Sequence, residues 1–201
     1  MIKFRNVSEE YIFTKKIDNE LLNMKLVDMI DNNKSFIYGS NAKTTVIQIG
    51  ERTIFDEMSS IVNEFAIQSS HDYNDQFEGH KRRKENRLYV ESHIMGTKCY
   101  EMWGMRYRSG EYTVPHNHWP ATWTFTYYID PPKECSGLYF PTLDYELKIE
   151  HGLLVLFKGD LIHEVKPSEF EGVRYVVGGV ISANPKTNTY HGVFNPPQKA
   201  Y

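Results

Sequence analysis

Gly152-Leu153-Leu154-Val155-Leu156-Phe157-Lys158-Gly159-Asp160-Leu161-Ile162-His163-Glu164-Val165 reads as an apolar strand, a turn and a second short strand. The run Leu153–Phe157 is too short for a helix of ordinary length, and turn residues bound it on both sides. The same texture fills the chain from Arg87 onward. Candidate strands are Leu88–Ile94, Tyr100–Tyr107, Tyr112–His116, Thr122–Ile129, Gly137–Phe140 and Glu146–Ile149. Leu153–Phe157, Ile162–Val165 and Arg174–Ile181 follow. Ser109-Gly110, Pro131-Pro132, His151-Gly152 and Glu171-Gly172 supply further turns. Many short strands at this spacing predict a sandwich, jelly roll or barrel.

The first half has a different texture. Leu21, Leu22, Met24, Leu26, Val27 and Ile30 follow a helical period that stops at Asn32-Asn33, with Asp18 as a plausible N-cap. Phe55, Met58, Ile61, Val62 and Phe65 predict a second helix over Ile54–Ile67. Between the two, residues 44–49 read as a strand or a pairing loop. The segment 69–86 is polar and has no clear period. The tail from Asn184 to Tyr201, with three prolines, is expected to lie over the surface.

Composition narrows the function classes. The 201 residues suit one domain, and 40% apolar with 24% charged residues is ordinary for a soluble globule. The formal net charge is −3, with both signs scattered. Lys81-Arg82-Arg83-Lys84 sits among Glu78, Glu85 and Asn86, so it reads as a solvated face and not as a nucleic-acid stripe. Cys99 and Cys135 make neither a metal-type CxxC nor a disulfide framework, and fit a reducing, cytoplasmic setting. No apolar run approaches the roughly 18 residues of a membrane span, and the N-terminus has no secretory h-region.

The chemistry concentrates in Tyr112-Thr113-Val114-Pro115-His116-Asn117-His118-Trp119-Pro120. On a strand, side chains two apart share a face, so His116 and His118 are expected to project together and to suit a divalent metal. The bland reading of such a pair is two half-buried histidines bonded to backbone or water. His163, just after the Lys158-Gly159-Asp160 turn, is placed to return to the pair and complete a three-residue face with open positions opposite. Arg174 begins the apolar run Arg174-Tyr175-Val176-Val177-Gly178. A buried strand arginine needs an anion, and its planar fork suits a carboxylate. The alternative is a surface ion pair with Glu169 or Glu171. Trp103, Trp119, Trp123 and Tyr139 are either lining for a pocket mouth or core aromatics.

Taken together, these residues resemble the Fe(II)/2-oxoglutarate-dependent oxygenases, above all the prolyl-4-hydroxylase-like branch and related oxygenases of tailed phages. The resemblance runs from about Tyr100 to Ile181. It implies a mainly β (α+β) double-stranded β-helix, or jelly roll, with N-terminal supporting helices. The whole chain 1–201 would be one domain: helical support and lid in 1–86, the β-helix core in 87–183 and a tail in 184–201. The family pattern of His-x-Asp/Glu, a distal His and a later Arg makes His116 the first metal ligand and His163 the distal one. Arg174 becomes the 2-oxoglutarate anchor. Tyr127-Tyr128-Ile129-Asp130 is similar to the branch's Tyr-Tyr-Leu-Asn strand, which gives Tyr128 a share in holding the far carboxylate. Thr124 lies on the same face. Ser136-Gly137-Leu138-Tyr139-Phe140-Pro141 resembles the Gly-Gly-x-Leu-x-Phe strand that follows.

In one position the chain departs from the pattern, with His118 standing where most of the family has an acid. Three neutral imidazoles leave a metal site one negative charge poorer, which lowers affinity for Fe(II) and raises its potential. Either His118 is the third ligand, or it lies beside the metal with water or another carboxylate in third place. Glu111 and Glu164 are the nearest acids, and their odd spacing from the ligands should point them away. The implied function is Fe(II)- and 2-oxoglutarate-dependent oxidation with O₂, by default hydroxylation of a peptide residue or a small molecule in the cytoplasm (the host's, for a phage protein). Nucleic acid is a weaker candidate substrate, and neither a membrane nor a particular oligomer is indicated. Two other readings stand. A cupin-type metalloenzyme would share the Gly110…His116-x-His118 and Gly152…His163 spacings, but it lacks a use for Arg174 and expects a Glu where Thr122 and Trp123 stand. A non-catalytic phage jelly roll would serve as a structural or binding protein.

Overall fold

The computed structural model describes residues 3–7, 10–32, 41–47, 54–77 and 98–182. Among the described residues the fold has two antiparallel sheets, two α-helices and one short 3-10 helix at Pro141–Leu143. The larger sheet has the order β1-β2-β9-β6-β11-β4-β3, from Lys3–Val7, Glu10–Lys16, Leu153–Lys158, Trp123–Tyr128, Arg174–Ser182, Lys98–Tyr107 and Lys43–Ile47. The smaller has the order β5-β10-β7-β8, from Thr113–His116, His163–Val165, Leu138–Phe140 and Tyr145–Leu147. Strands β4 to β11 divide four and four between the two sheets, which is a double-stranded β-helix.

Side-chain alternation explains why three layers form. Phe125 and Tyr127 of β6, Leu154 and Leu156 of β9 and Val177 of β11 join one apolar cluster with Leu22, Leu26 and Ile30 of α1 (Glu20–Asn32). Met58, Val62, Phe65 and Ala66 of α2 (Ile54–Phe77) belong to the same cluster. The opposite faces of the same strands carry Tyr128, Leu153, Val155, Phe157 and Val176, which pack with Leu138, Phe140 and Val165 of the small sheet. Period-two strands therefore serve a helix layer on one face and a second sheet on the other. Gly104 brings α1 close to β4, because a Cβ there would overlap the Ile30 side chain.

Several expectations change. The first half is more than helical support, since β1, β2 and β3 extend the large sheet at both edges. Strand β2 was not read from the sequence; in it Tyr11 and Phe13 face the helices while Ile12 faces the small sheet. The uncertain stretch at 44–49 is strand β3, Lys43–Ile47, paired to β4. Helix α2 runs ten residues past Ile67, to Phe77, into the polar segment where no period was evident. The cap of α1 is Asn19 and not Asp18: its Oδ1 accepts the Leu22 amide at 3.0 Å. The candidate strand Leu88–Ile94, the basic run Lys81–Lys84 and the tail from Asn184 lie outside the described residues. No described helix is long and apolar enough to cross a membrane.

Candidate active site

His116 ends β5 and His163 begins β10, and the two pair directly across the small sheet. Their rings lie 4.3 Å apart, centre to centre. His118 arrives differently from expectation. Strand β5 stops at His116, so His118 sits in the following loop and strand alternation does not place it. Its ring nonetheless comes within 5.0 Å of His116 and 5.2 Å of His163. One nitrogen from each ring lies within 4.8 Å of the others, a grouping that could hold one divalent ion among the three. Among the described residues no carboxylate joins this group. Glu111 is turned away, accepting the Arg108 amide at 2.6 Å.

The donor chemistry fits a metal. Nδ1 of His116 donates to the carbonyl of Val114 at 2.8 Å, and Nδ1 of His163 donates to that of Leu161 at 2.9 Å. A carbonyl only accepts, so both rings carry their proton on Nδ1 and leave the Nε2 lone pair free. Burial lowers the pKa of His163 well below the ordinary histidine value, with the neighbouring histidines adding to it. Burial also lowers His116, against the opposing Val114 bond. His118 falls to about 3, through burial and then His116. All three are neutral at pH 7, the form that binds metal ions.

Beneath the histidines a narrow cavity runs between the sheets, with Trp103, Thr124, Thr126, Tyr128 and Arg174 in its walls. Arg174 is 1% exposed. Its Nη1 donates to the carbonyl of Ser136 at 2.8 Å, while Nε and Nη2 are buried without a hydrogen bond of normal geometry. No carboxylate among the described residues meets it, so the expected alternative of an ion pair with Glu169 or Glu171 does not occur; Glu169 instead accepts from Ser109. The guanidinium stands 5.1 Å from the Tyr107 ring centre and 5.3 Å from that of Tyr128. Burial raises both phenol pKa values against the opposing pull of Arg174, so both stay neutral donors.

Thr124, Thr126 and Tyr128 are successive inward residues of β6, and all three hydroxyls are buried without a hydrogen bond of normal geometry. Buried orphans of this kind are uncommon and mark a place where a polar partner belongs. Thr126 was missed by sequence reading, although its place between Thr124 and Tyr128 on one face was a sufficient signal. Tyr107, whose hydroxyl meets Thr113 at 2.7 Å, and the Ser136 carbonyl were missed because nothing local announces them. Of the four aromatics considered for the mouth, Trp103 faces the cavity with its ring 5.2 Å from His118. Trp123 instead packs edge-on against Phe13 in the helix-side core, and Trp119 is 70% exposed. Tyr139 hydrogen-bonds Asp144 and lies under Lys166. Trp103 has its seat because Gly178, directly across the ladder, lacks a side chain; a Cβ there would stand 2.7 Å from the indole nitrogen.

No family model matches the sequence. No curated protein matches it either. The fold does match solved structures. A viral collagen prolyl hydroxylase of Paramecium bursaria Chlorella virus-1, in complex with 2-oxoglutarate, aligns with a TM-score of 0.52 at 18% identity, over 85% of this chain and 96% of that one. A prolyl-4-hydroxylase of Pseudomonas putida aligns at 0.58 and 14% identity, over 85% and 91%. HygX of Streptomyces hygroscopicus, with nickel and 2-oxoglutarate bound, aligns at 0.55 and 8% identity, over 85% and 82%. The chain thus has the double-stranded β-helix fold of the prolyl-4-hydroxylase-like 2-oxoglutarate oxygenases.

Proposed function

We propose that this chain is an Fe(II)- and 2-oxoglutarate-dependent dioxygenase that hydroxylates a peptide residue or a small molecule, working as one domain across residues 1–201 in the cytoplasm. One observation carries the reading. Three neutral imidazoles and a buried guanidinium without a carboxylate partner line the same cavity. A buried unpaired arginine is costly, and a dicarboxylate that reaches both groups removes that cost.

Each residue then has a distinct task. His116 and His163 hold the iron through Nε2, their rings fixed by the carbonyls of Val114 and Leu161. His118 supplies the third nitrogen, in the position where most of the family has an acid. Arg174 receives the far carboxylate of 2-oxoglutarate on Nε and Nη2, with the Tyr128 hydroxyl beside it. Thr124 offers a hydroxyl further along the same strand face. Phe157, whose ring lies 4.7 Å from His163, keeps water from that side. Bound there, Fe(II) and 2-oxoglutarate would supply the oxidising power with O₂, and the residues named hold and orient them.

The test is an anaerobic titration of the Fe(II)-loaded protein with 2-oxoglutarate, followed by the visible charge-transfer band and then by succinate release on admitting O₂. Band and succinate together are the expected result. Metal binding without the band would favour a cupin-type enzyme, and loss of both would favour a non-catalytic jelly roll.

A further inference from the structure

His118 is the one imidazole that no strand holds, yet its ring reaches the other two. The backbone explains how. The His118 amide donates to the carbonyl of Gly159 at 2.6 Å, and the Gly159 amide donates to the carbonyl of Thr122 at 3.2 Å. Both polar groups of this one buried residue are therefore used to hold the loop 117–122. The loop closes on itself through Ala121 N–H to His118 O at 2.8 Å, and it is tied to β11 through Thr122 N–H to Ile181 O at 3.1 Å. Residue 159 has no room for a side chain, since a Cβ would overlap the Ala121 carbonyl oxygen and stand 3.1 Å from the Ala121 Cβ. Gly159 also lies in the turn between β9 and β10, four residues ahead of His163.

We propose that Gly159 is a positioning residue for the third imidazole, linking the loop that carries His118 to the turn that delivers His163. This rests on the three-histidine metal reading above. A strand would hold a ligand through its own ladder, and His118 has no ladder. Gly159 stands in for one, with two hydrogen bonds and a contact too close for any side chain. Metal affinity therefore depends on a residue that touches neither metal nor substrate, because displacing the loop moves one of three donors.

The test is Co(II) titration of the full chain, read by affinity and by the visible ligand-field bands, for wild type, Gly159→Ala, His118→Ala and Gly152→Ala. Gly152→Ala is the matched control: its Cβ would overlap the Ile17 carbonyl oxygen, at the opposite end of β9 from Gly159. Gly159→Ala is expected to lose about 10- to 100-fold in affinity and to shift its bands toward those of His118→Ala. Gly152→Ala is expected to lose thermal stability and to keep the wild-type affinity and bands. A folded Gly159→Ala with wild-type affinity and bands overturns the proposal and leaves the metal reading standing, whereas a wild type that binds no Co(II) overturns both. Hydrogen exchange on the wild type gives a measurement independent of whether the variant folds. The His118 amide should be protected and should become more so on metal loading, and free exchange in both states overturns the proposal.

Discussion

The rings of His116 and His163 lie 4.3 Å apart on residues that pair directly across β5 and β10. Each ring is oriented by a backbone carbonyl two residues earlier in its own chain segment. Two ligands held by one ladder make a rigid half-site, onto which the looser His118 is added.

Unequal losses should follow from that asymmetry. His116→Ala and His163→Ala are expected to weaken Fe(II) binding at least about 100-fold. His118→Ala should weaken it less, because the paired ligands remain. Anaerobic calorimetric titration measures all three, and equal losses would contradict the ladder argument.

Arg174→Leu should separate stability from function. The substitution removes a buried charge that has no carboxylate partner, at the expense of the one bond to Ser136 O. Apolar replacement of a buried ion is often neutral or stabilising, while an orphaned carbonyl costs about 1–3 kcal/mol. The expected outcome is folding stability within about 2 kcal/mol of wild type, with the 2-oxoglutarate charge-transfer band lost and Fe(II) affinity kept. Chemical denaturation and the band titration check the two halves.

Metal-stripped protein should lose stability in mild acid. The three histidines have folded pKa values below the roughly 6.5 of an unfolded chain. Below that pH the unfolded state binds protons that the folded state refuses, so stability is fully present above about 6.5 and falls as the pH is lowered toward the folded values. For His118 that window extends to about 3. Buried His163 alone contributes a slope of about 1.4 kcal/mol per pH unit inside the window. Urea titrations at pH 7, 6 and 5 should show the decline, and His163→Ala should show a shallower one; equal slopes would refute the assignment.

Gly178→Ala should unseat Trp103. The added Cβ would stand 2.7 Å from the indole nitrogen, and overpacking of this kind costs about 1–3 kcal/mol. Because Trp103 lies 5.2 Å from His118, the quenching of tryptophan fluorescence by Co(II) should also weaken. Unchanged quenching in the variant would assign that signal to Trp119 or Trp123 instead.

Much of this was written locally. The apolar runs of β9 and β11, bounded by turn residues, announced buried strands, and the order His116, His163, Arg174 named residues that meet in the cavity. Those signals are legible because a short apolar run between turns and a buried charge's need for a partner are properties of a few neighbouring residues. What escaped local reading depends on distant chain. Asn19 outcompeted Asp18 as the cap of α1, α2 continued through polar residues, and β1 to β3 joined the sheet because partners and surfaces elsewhere received them. His118 is the clearest case. Its type and its place two residues after His116 stood in the sequence, and strand alternation was the expected reason for its meeting the others. The strand ended at His116, and what brings His118 to the cluster is a pair of backbone hydrogen bonds to Gly159, a residue about forty positions away. Hydrogen bonds of that kind carry no side-chain signature, so only the tertiary structure decides them.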